Sequence, residues 1–296
     1  MIVLFVHFLQ GEKKQIGEAF NEEKALKILT TYGGNSDSQL IFLKDKRMFA
    51  YEKDGEPTVL LQFACFNNKC IVMGDPSGKK EDFPEAIEAF IEETDRLCYL
   101  PVFYETSEEI VMILHEFGYD FIKMGEEAYV DLNSFTTSGK KMKGTRAVLN
   151  RIEREGFTFD VLQPPFSAEQ MSIFKNISDN WLGSRKEKGF SLGFFSEDYL
   201  QRAPIAVVKN TQEEIVAFAT IMPTYTNNKV GTIDLMRYDP KKAPSGSMDF
   251  LFLHLFAYMK EEHIQWFNLG MAPLSNVGTS RKSFLQERIA YLVYEF

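Results

Sequence analysis

Residues 230–270, VGTIDLMRYDPKKAPSGSMDFLFLHLFAYMKEEHIQWFNLG, decide the fold of this 296-residue chain. The first nine residues, VGTIDLMRY, are rich in branched and apolar side chains and predict a strand. Apolar residues then recur at helical spacing from Gly246 to Glu262, and QWFNLG predicts a further strand. The stretch therefore indicates a mixed α/β fold.

The same order of elements is predicted twice along the chain. In the first half, a helix over 18–30 precedes the strands QLIFLK, MFAYE, TVLLQFACF and KCIVMG, a helix over 82–99, the strand PVFYE, the helix SEEIVMILHEFGY and the strands DFIKMG and AYVDL. In the second half, helices over 138–155 and 167–188 precede the strands PIAVVKN and EIVAFATIMPTY, the stretch 230–270 and a final helix. The polar segment 133–140, NSFTTSGK, is the predicted linker. We expect two similar mixed α/β domains in tandem.

Composition and motifs exclude several classes of protein. With 45% hydrophobic and 25% charged residues the chain is globular, and a net charge of -9 argues against non-specific coating of nucleic acid. Three cysteines without a C-x-x-C pair predict neither a disulfide framework nor a zinc ribbon, and the four histidines have no metal-binding spacing. The phosphate-binding motifs G-x-x-x-x-G-K-[ST] and G-x-G-x-x-G are also absent, so we predict no cofactor and no metal site.

Positive charge is concentrated between residues 140 and 154. Six basic residues oppose only Glu153 there, giving a local net charge of +5: Lys140, Lys141, Lys143, Arg146, Arg151 and Arg154. This segment can bind phosphates of RNA or of lipid head groups, and Lys186 and Lys188 could extend the surface. The alternative is a solvated helix face.

Asp234 and Arg237 lie where the strand VGTIDLMRY ends, a position from which side chains commonly project into a site. In a regular strand an offset of three residues places them on opposite faces, so a bend or bulge after Leu235 is needed to bring both into one pocket. A surface ion pair is the competing interpretation. The loops DPKKAPSG (239–246) and FNLGMAPLS (267–275) suit anion binding and close backbone approach, although ordinary turns have the same composition.

Several strings together resemble one family, the lysyl-phosphatidylglycerol synthases, which are the catalytic part of the multiple peptide resistance factor. The matching strings are MGDPSG (73–78), KGTR (143–146), FSLGFF (190–195) between Trp181 and Tyr199, DLMRY (234–238), MDFLF (248–252) and FNLGMAPLS (267–275). Their order and joint presence over residues 60–280 make the resemblance specific.

The resemblance implies two tandem GNAT-like acyltransferase domains, which we place at 11–135 and 136–296. Residues 1–10 would be the end of a truncated transmembrane segment, and the family usually continues past the position of Phe296. The implied activity is transfer of a lysyl group from lysyl-tRNA to the hydroxyl of phosphatidylglycerol, which gives resistance to cationic peptides. The implied location is the cytoplasmic face of the bacterial cell membrane, behind an N-terminal membrane flippase domain.

The charges of the substrates suggest roles for the residues in these strings. Asp234 is expected to hold an ammonium of the aminoacyl group, and Arg237 to bind phosphate or the developing oxyanion. Lys143 and Arg146 are expected to anchor tRNA or the lipid head group. Further substrate-binding residues are predicted at Lys188, Ser191, Tyr238, Ser247, Asp249 and Asn268.

Two other functions are compatible with the same sequence. The first is a GNAT acetyltransferase using acetyl-coenzyme A, although Ala243, Pro244 and Ser245 occupy the loop where such enzymes carry closely spaced glycines. The second is a non-catalytic module that binds anionic lipid through residues 140–154. The donor amino acid, lysine or alanine, also stays open at this point.

Overall fold

The computed structural model describes residues 15–227 and 229–295, so the predicted membrane segment at residues 1–10 lies outside the described residues. The chain forms two compact units. The first, here called the N-terminal unit, contains the described residues up to 32 together with 44–119. The second, the C-terminal unit, contains residues 33–43 and those from 120 onward.

The N-terminal unit is a five-stranded sheet with helices packed on it. Its elements are α1 (Glu22–Tyr32), β1 (Arg47–Lys53), β2 (Glu56–Phe66), β3 (Lys69–Met73), β4 (Ser77–Gly78), α2 (Phe83–Arg96), β5 (Leu100–Tyr104) and α3 (Glu108–Glu116). The strand order is β1-β2-β3-β5, with β4 paired to β2. Only β3 and β5 among these strands run parallel, joined across α2. Phe90 of α2 packs edge-on against Phe63 of β2 in the core, with ring centroids 5.1 Å apart.

The C-terminal unit repeats this plan with a six-stranded sheet. Its elements are β6 (Gly125–Asp131), α4 (Lys143–Arg154), β7 (Thr158–Leu162), α5 (Ala168–Leu182), α6 (Glu197–Leu200), β8 (Ile205–Lys209), β9 (Ile215–Met222), β10 (Val230–Tyr238), α7 (Ser247–Glu261), β11 (Trp266–Pro273) and α8 (Leu285–Glu295). The strand order is β6-β11-β10-β9-β8-β7, and only β10 and β11 among these strands are parallel, joined across α7.

Helices cover both faces of the second sheet. Ala217 and Ala219 of β9 contribute to a core that includes Phe250 of α7, on one face. Phe218 points to the other face, where its ring lies 5.2 Å from that of Phe174 in α5. This alternation along β9 is the expected two-residue period of a strand buried on both sides.

The tandem mixed α/β order is confirmed, but individual elements differ from the predictions. QLIFLK is not a strand: residues Ser38–Leu43 form a buried 3-10 helix in the C-terminal unit. A short continuous apolar run fits several buried structures equally well, so its periodicity could not decide this element. DFIKMG is not a strand before Gly125, because β11, the pairing partner of β6, ends at Pro273 opposite that glycine. The strand β7 and the short helix α6 were not predicted.

The boundary between the units differs from the predicted division at 135/136. β6 precedes that boundary but pairs with β11 in the second sheet, from Gly125 opposite Pro273 to Asp131 opposite Trp266. Residues 33–43 also belong to the second unit, although they precede β1 in the chain. Both assignments depend on long-range pairing, which local sequence patterns do not report.

The cysteines also correct an expectation. Cys65 and Cys70 are cross-strand partners on β2 and β3, with Cα atoms 4.3 Å apart, and they form a disulfide. Cys98 is free and exposed. The spacing of five residues has no motif of its own, and the hairpin register is what brings the two sulfur atoms together.

Candidate active site

A β-bulge in β10 places Asp234 and Arg237 on one face of the C-terminal sheet. Ile233 pairs with Ile221 and Met236 pairs with Ala219, so two residues of β10 oppose the single Thr220 of β9. Leu235 N–H donates to Thr220 Oγ1 at 3.0 Å, which gives the bulged backbone a buried acceptor. The bulge that the sequence required is therefore present.

The side chains on either side of the bulge follow from this register. Ile233 and Met236 pack against the core on the α7 side of the sheet. Asp234 and Arg237 contact α5 and the segments that follow it, on the other side. Without the extra residue the strand would have sent the two charged groups in opposite directions.

Asp234 accepts two hydrogen bonds from groups distant in sequence. Gly193 N–H donates to Oδ1 at 2.8 Å, and the Tyr199 hydroxyl donates to Oδ2 at 3.0 Å. The Tyr199 oxygen also lies 3.1 Å from the Met222 sulfur, and the tyrosine is 2% exposed. A carboxylate with donors on both oxygens is held in one orientation.

Gly193 is required by this geometry. A Cβ atom at residue 193 would lie 1.7 Å from Asp234 Oδ2, so no other residue fits without moving the carboxylate. The central glycine of the FSLGFF string thus has a steric explanation.

Arg237 is a buried cation with one carboxylate partner among the described residues. Its side chain is 9% exposed, and Nη2 donates to Glu187 Oε2 at 2.9 Å. The guanidinium carbon lies 3.9 Å from the centroid of the Trp181 ring, within cation–π range. Nε is buried and has no hydrogen-bond partner among the described residues.

The electrostatics of Arg237 combine opposing effects. Burial lowers the pKa of the guanidinium, the carboxylates of Glu187 and Asp234 raise it, and the nearby Arg185 lowers it. The net direction is downward, although the group stays protonated at any physiological pH. The buried positive charge therefore favours an additional anion at this point.

One loop holds both candidate catalytic side chains. Residues 183–196, here called the site loop, connect α5 to α6 and supply Gly193 to Asp234 and Glu187 to Arg237. Glu187 Oε1 also accepts from Phe195 N–H at 3.4 Å, which ties the middle of the loop to its end. The predicted residues Lys188 and Ser191 lie in this loop, the first exposed and the second partly buried.

Other predicted substrate-binding residues lie elsewhere in the C-terminal unit. Lys143 is exposed at the start of α4, whereas Arg146 donates to the carbonyls of Thr137 and Gly139. Tyr238 directly follows Arg237, so strand alternation directs its side chain to the opposite face of the sheet. None of these three residues has a hydrogen bond or ion pair with Asp234 or Arg237 in the described contacts.

Ser247 and Asp249 occupy the first turn of α7. Ser247 is buried and Asp249 is exposed. An acidic group in the first turn interacts favourably with the helix dipole. This end of the helix meets α4, where Arg151 donates to the Ser245 carbonyl and Val148 would collide with a Cβ on Gly246. These contacts with α4 explain the end of the loop 239–246 by packing and hydrogen bonding alone.

Asn268 is 1% exposed and connects three segments of the unit. Its Nδ2 lies 2.9 Å from Ser36 Oγ, 3.0 Å from Glu127 Oε1 and 3.2 Å from the Tyr129 hydroxyl, and its Oδ1 accepts from Gly270 N–H. Burial raises the pKa of Tyr129, with the Glu127 charge acting in the same direction. These contacts account for the burial of Asn268; its predicted role in substrate binding stays a prediction.

The MGDPSG string lies in the N-terminal unit and has a backbone explanation there. Gly78 has φ +122°, and a Cβ on it would lie 2.2 Å from the Thr58 carbonyl oxygen. Ser77 and Gly78 form β4 and pair with β2. The glycine therefore permits close strand contact.

Two further properties concern residues 15–227 and 229–295. Within these ranges no three His, Cys, Asp or Glu side chains cluster where they could hold a metal ion. None of the described helices combines the length and the apolar character that crossing a bilayer requires.

Sequence reasoning did not select Glu187, Gly193, Tyr199 or Trp181 as site residues. The last three lie in or beside the FSLGFF string, which was used only for the resemblance. Glu187 is the single acidic residue within RKEK, at 185–188, and only the lysines of this stretch were predicted to bind phosphate or substrate. An acid surrounded by exposed cations was the available signal for a group turned inward.

Comparison with known proteins agrees with this architecture. The family model described as "Phosphatidylglycerol lysyltransferase, C-terminal" matches residues 26–296. A phosphatidylglycerol lysyltransferase of Bacillus subtilis (strain 168) is 48% identical over 292 residues, which is 99% of this chain and 34% of that protein. One from Staphylococcus aureus (strain COL) is 41% identical over 273 residues, 92% of this chain and 32% of that protein.

A solved structure shows the same fold. The structure of L-PGS from Bacillus licheniformis superposes with a TM-score of 0.87 at 52% identity, covering 95% of this chain and 84% of that one. The described residues thus define a mixed α/β protein of two units, each a mostly antiparallel sheet with helices packed on it. The chain belongs to the phosphatidylglycerol lysyltransferase C-terminal family. It spans about a third of the length of the curated relatives it matches.

Proposed function

We propose that this chain transfers a lysyl group from lysyl-tRNA to the hydroxyl of phosphatidylglycerol. Membership of the family supports the lipid acceptor and the lysyl group, and the site geometry supports the chemistry. The observation that carries the proposal is the β10 bulge, which puts a carboxylate and a buried guanidinium on one face of the sheet. In this role the chain would act at the cytoplasmic face of the bacterial cell membrane, and its product would give resistance to cationic peptides.

The reaction exchanges one ester for another. The glycerol hydroxyl oxygen attacks the lysyl carbonyl carbon, the bond from that carbon to the tRNA ribose oxygen breaks, and the hydroxyl proton passes to the released ribose oxygen. Because one ester bond replaces another, the step is close to thermoneutral and requires no ATP. Catalysis then depends mainly on alignment of the substrates and on fixed charges.

Asp234 is assigned to an ammonium of the lysyl group. Both of its oxygens already accept hydrogen bonds from Gly193 and Tyr199, so the carboxylate is presented rigidly rather than free to rotate. A pre-oriented anion binds a cationic group with less loss of side-chain entropy than a mobile one.

Arg237 is assigned to the lipid phosphate or to the oxyanion that develops on the lysyl carbonyl. A buried guanidinium is the side chain best suited to this task, because its planar fork stays charged and matches oxyanion geometry. The buried Nε has a hydrogen to donate that no described residue accepts. On the membrane side the proposed partner is the N-terminal flippase domain. The tRNA is proposed to contact the exposed cations of α4, including Lys143.

The test is a transfer assay with the whole chain, lysyl-tRNA labelled in the lysine and phosphatidylglycerol in detergent micelles. Labelled lipid is expected with the wild type, and Asp234→Asn or Arg237→Lys should lower its formation by about 100-fold or more. Asp160→Asn and Arg96→Lys are matched controls, since both side chains are exposed and neither contacts Asp234 or Arg237, and they should retain activity.

Two results would reject the proposal. No labelled lipid from correctly folded wild-type protein would remove the activity. Transfer of an acetyl group from acetyl-coenzyme A to an amine, with lysyl-tRNA inert, would point instead to the acetyltransferase alternative.

A further inference from the structure

The site loop carries charge on its outer surface that the site itself does not use. Arg185, Lys186 and Lys188 are exposed, and Leu192 is 51% exposed; we call these four residues the loop patch. Neither lysine makes an ion pair among the described residues. The guanidinium of Arg185 stacks on Trp181 at 4.2 Å and donates to the Leu182 and Trp181 carbonyls, so its charge has no carboxylate partner there.

The only acidic residue between 183 and 192 does not weaken this charge at the surface. Glu187 turns inward to Arg237, and its side chain is 29% exposed. The carboxylate of the site loop therefore pairs with Arg237 of the site, whereas the exposed charges of the loop are all positive. The next carboxylates along the chain, Glu197 and Asp198, lie beyond the loop in α6.

We propose that the loop patch is the surface by which the C-terminal unit docks on an anionic phospholipid bilayer, so that phosphatidylglycerol enters the site beside it. This inference rests on the proposed function. Cations at a bilayer surface pair with lipid phosphates, and an exposed leucine in the same loop gains by entering the apolar boundary. RNA would use the cations but offers nothing to a leucine, because its recognition relies on charge and on stacking with planar groups.

The position of the patch adds to this assignment. The same loop donates to Asp234 through Gly193 and accepts from Arg237 through Glu187. A lipid whose acyl chains stay in the bilayer can present its head group only a short distance from the surface. The loop patch meets that restriction, because it belongs to the same loop whose Gly193 and Glu187 contact the two site residues.

The test measures binding of the whole chain to sedimenting vesicles of phosphatidylglycerol or of phosphatidylcholine at several salt concentrations. Lys186→Gln combined with Lys188→Gln should weaken binding to the anionic vesicles about 25-fold, at roughly fivefold per lysine. Leu192→Ser should weaken it by about tenfold and should do so at high salt as well. Lys229→Gln with Lys282→Gln, two exposed lysines outside the patch, should bind like the wild type.

A labelled variant gives a readout that does not depend on loss of binding. Leu192→Cys carrying an environment-sensitive dye, in a Cys98→Ser background, should shift its emission to shorter wavelength with phosphatidylglycerol vesicles and not with phosphatidylcholine vesicles. Cys98 is replaced because it is the exposed free thiol.

The proposal is overturned if both loop variants bind anionic vesicles as the wild type does, or if the dye shows no shift. It is also overturned if the lysine variant loses lysyl-tRNA binding while vesicle binding is unchanged, which would make the loop an RNA contact. Transfer to phosphatidylglycerol in detergent micelles tests the proposed function separately. Activity in micelles without vesicle binding would reject only the docking surface.

Discussion

At the scale of single residues, Gly193 is the position least able to change. Gly193→Ala places a methyl group where Asp234 Oδ2 now lies, so the carboxylate must move by about an ångström or more. Misplacement of this size in a catalytic group costs about 100-fold in rate, and we expect a loss of that order in lysyl transfer. The matched control is Gly144→Ala in α4, where a Cβ meets nothing within 4 Å. Unchanged transfer by Gly193→Ala would show that Asp234 tolerates displacement.

Tyr199 is the second residue that fixes Asp234. Tyr199→Phe keeps the buried ring but removes the hydroxyl that donates to the Oδ2 of a carboxylate, so the free energy of unfolding should fall by about 2 kcal/mol. The rate of transfer should fall more than this modest change in stability suggests, because one oxygen of Asp234 loses its fixed donor. Urea unfolding and kcat measured across pH separate the two effects. A change in stability with an unaltered pH profile and kcat would assign Tyr199 to packing alone.

The sequence indicated only part of this site at residue level. Asp234 and Arg237 were selected because a strand end with an acid and a base is a common place for functional groups. Glu187, Tyr199 and Gly193 were not selected, because they reach the site through a loop and a helix 35 to 50 positions earlier in the chain. No local pattern reports such a contact.

At the scale of elements, the bulge in β10 determines whether the two charged groups share a face. Thr220→Val removes the acceptor of Leu235 N–H with little change of shape, leaving a buried donor unpaired at a cost of about 1–3 kcal/mol. We expect lower stability in urea and a matching fall in transfer activity, because the register near Asp234 is loosened. Thr158→Val on the exposed side of β7 is the control and should change neither. Full activity in a destabilised Thr220→Val protein would separate the bulge from function.

Elements were predictable where periodicity was strong and long. The helix from Gly246 to Glu262 was placed within a residue of α7, and VGTIDLMRY coincides with β10. QLIFLK (39–44) was predicted as a strand because it is a short, nearly continuous apolar run, whereas Ser38–Leu43 forms a 3-10 helix in which all six residues are buried. The need for a bulge could be stated from the spacing of Asp234 and Arg237, but its presence could not, since the register depends on β9.

At the scale of the whole molecule, the C-terminal unit is assembled from two separate stretches of chain. A fragment of residues 136–296 would lack β6, the neighbour of β11, and residues 33–43. It would also lose the hydrogen bonds from Tyr225 to Gln39 and from Asn268 to Ser36. We expect this fragment to unfold without a cooperative thermal transition by circular dichroism, whereas a fragment of 33–296 keeps one. A cooperative transition in 136–296 would restore the boundary predicted from the linker.

The tandem architecture itself followed from the sequence because the order of elements repeats. The boundary did not, because NSFTTSGK has the composition of a linker but follows a strand that pairs in the second sheet. Composition indicates only that a segment is exposed to solvent. The unit to which a strand belongs depends on its pairing partner, which here lies more than a hundred residues away.

A double-mutant cycle of kcat/KM for lysyl transfer tests most directly whether Asp234 and Arg237 act together in one site. The cycle compares Asp234→Asn, Arg237→Lys and the double variant, each checked for wild-type circular dichroism. If the two side chains serve one transition state, each single change lowers kcat/KM by about 100-fold, and the double change adds less than about tenfold. Losses that multiply as for independent sites, or a single variant with near wild-type kcat/KM, would contradict a shared site on this face of the sheet.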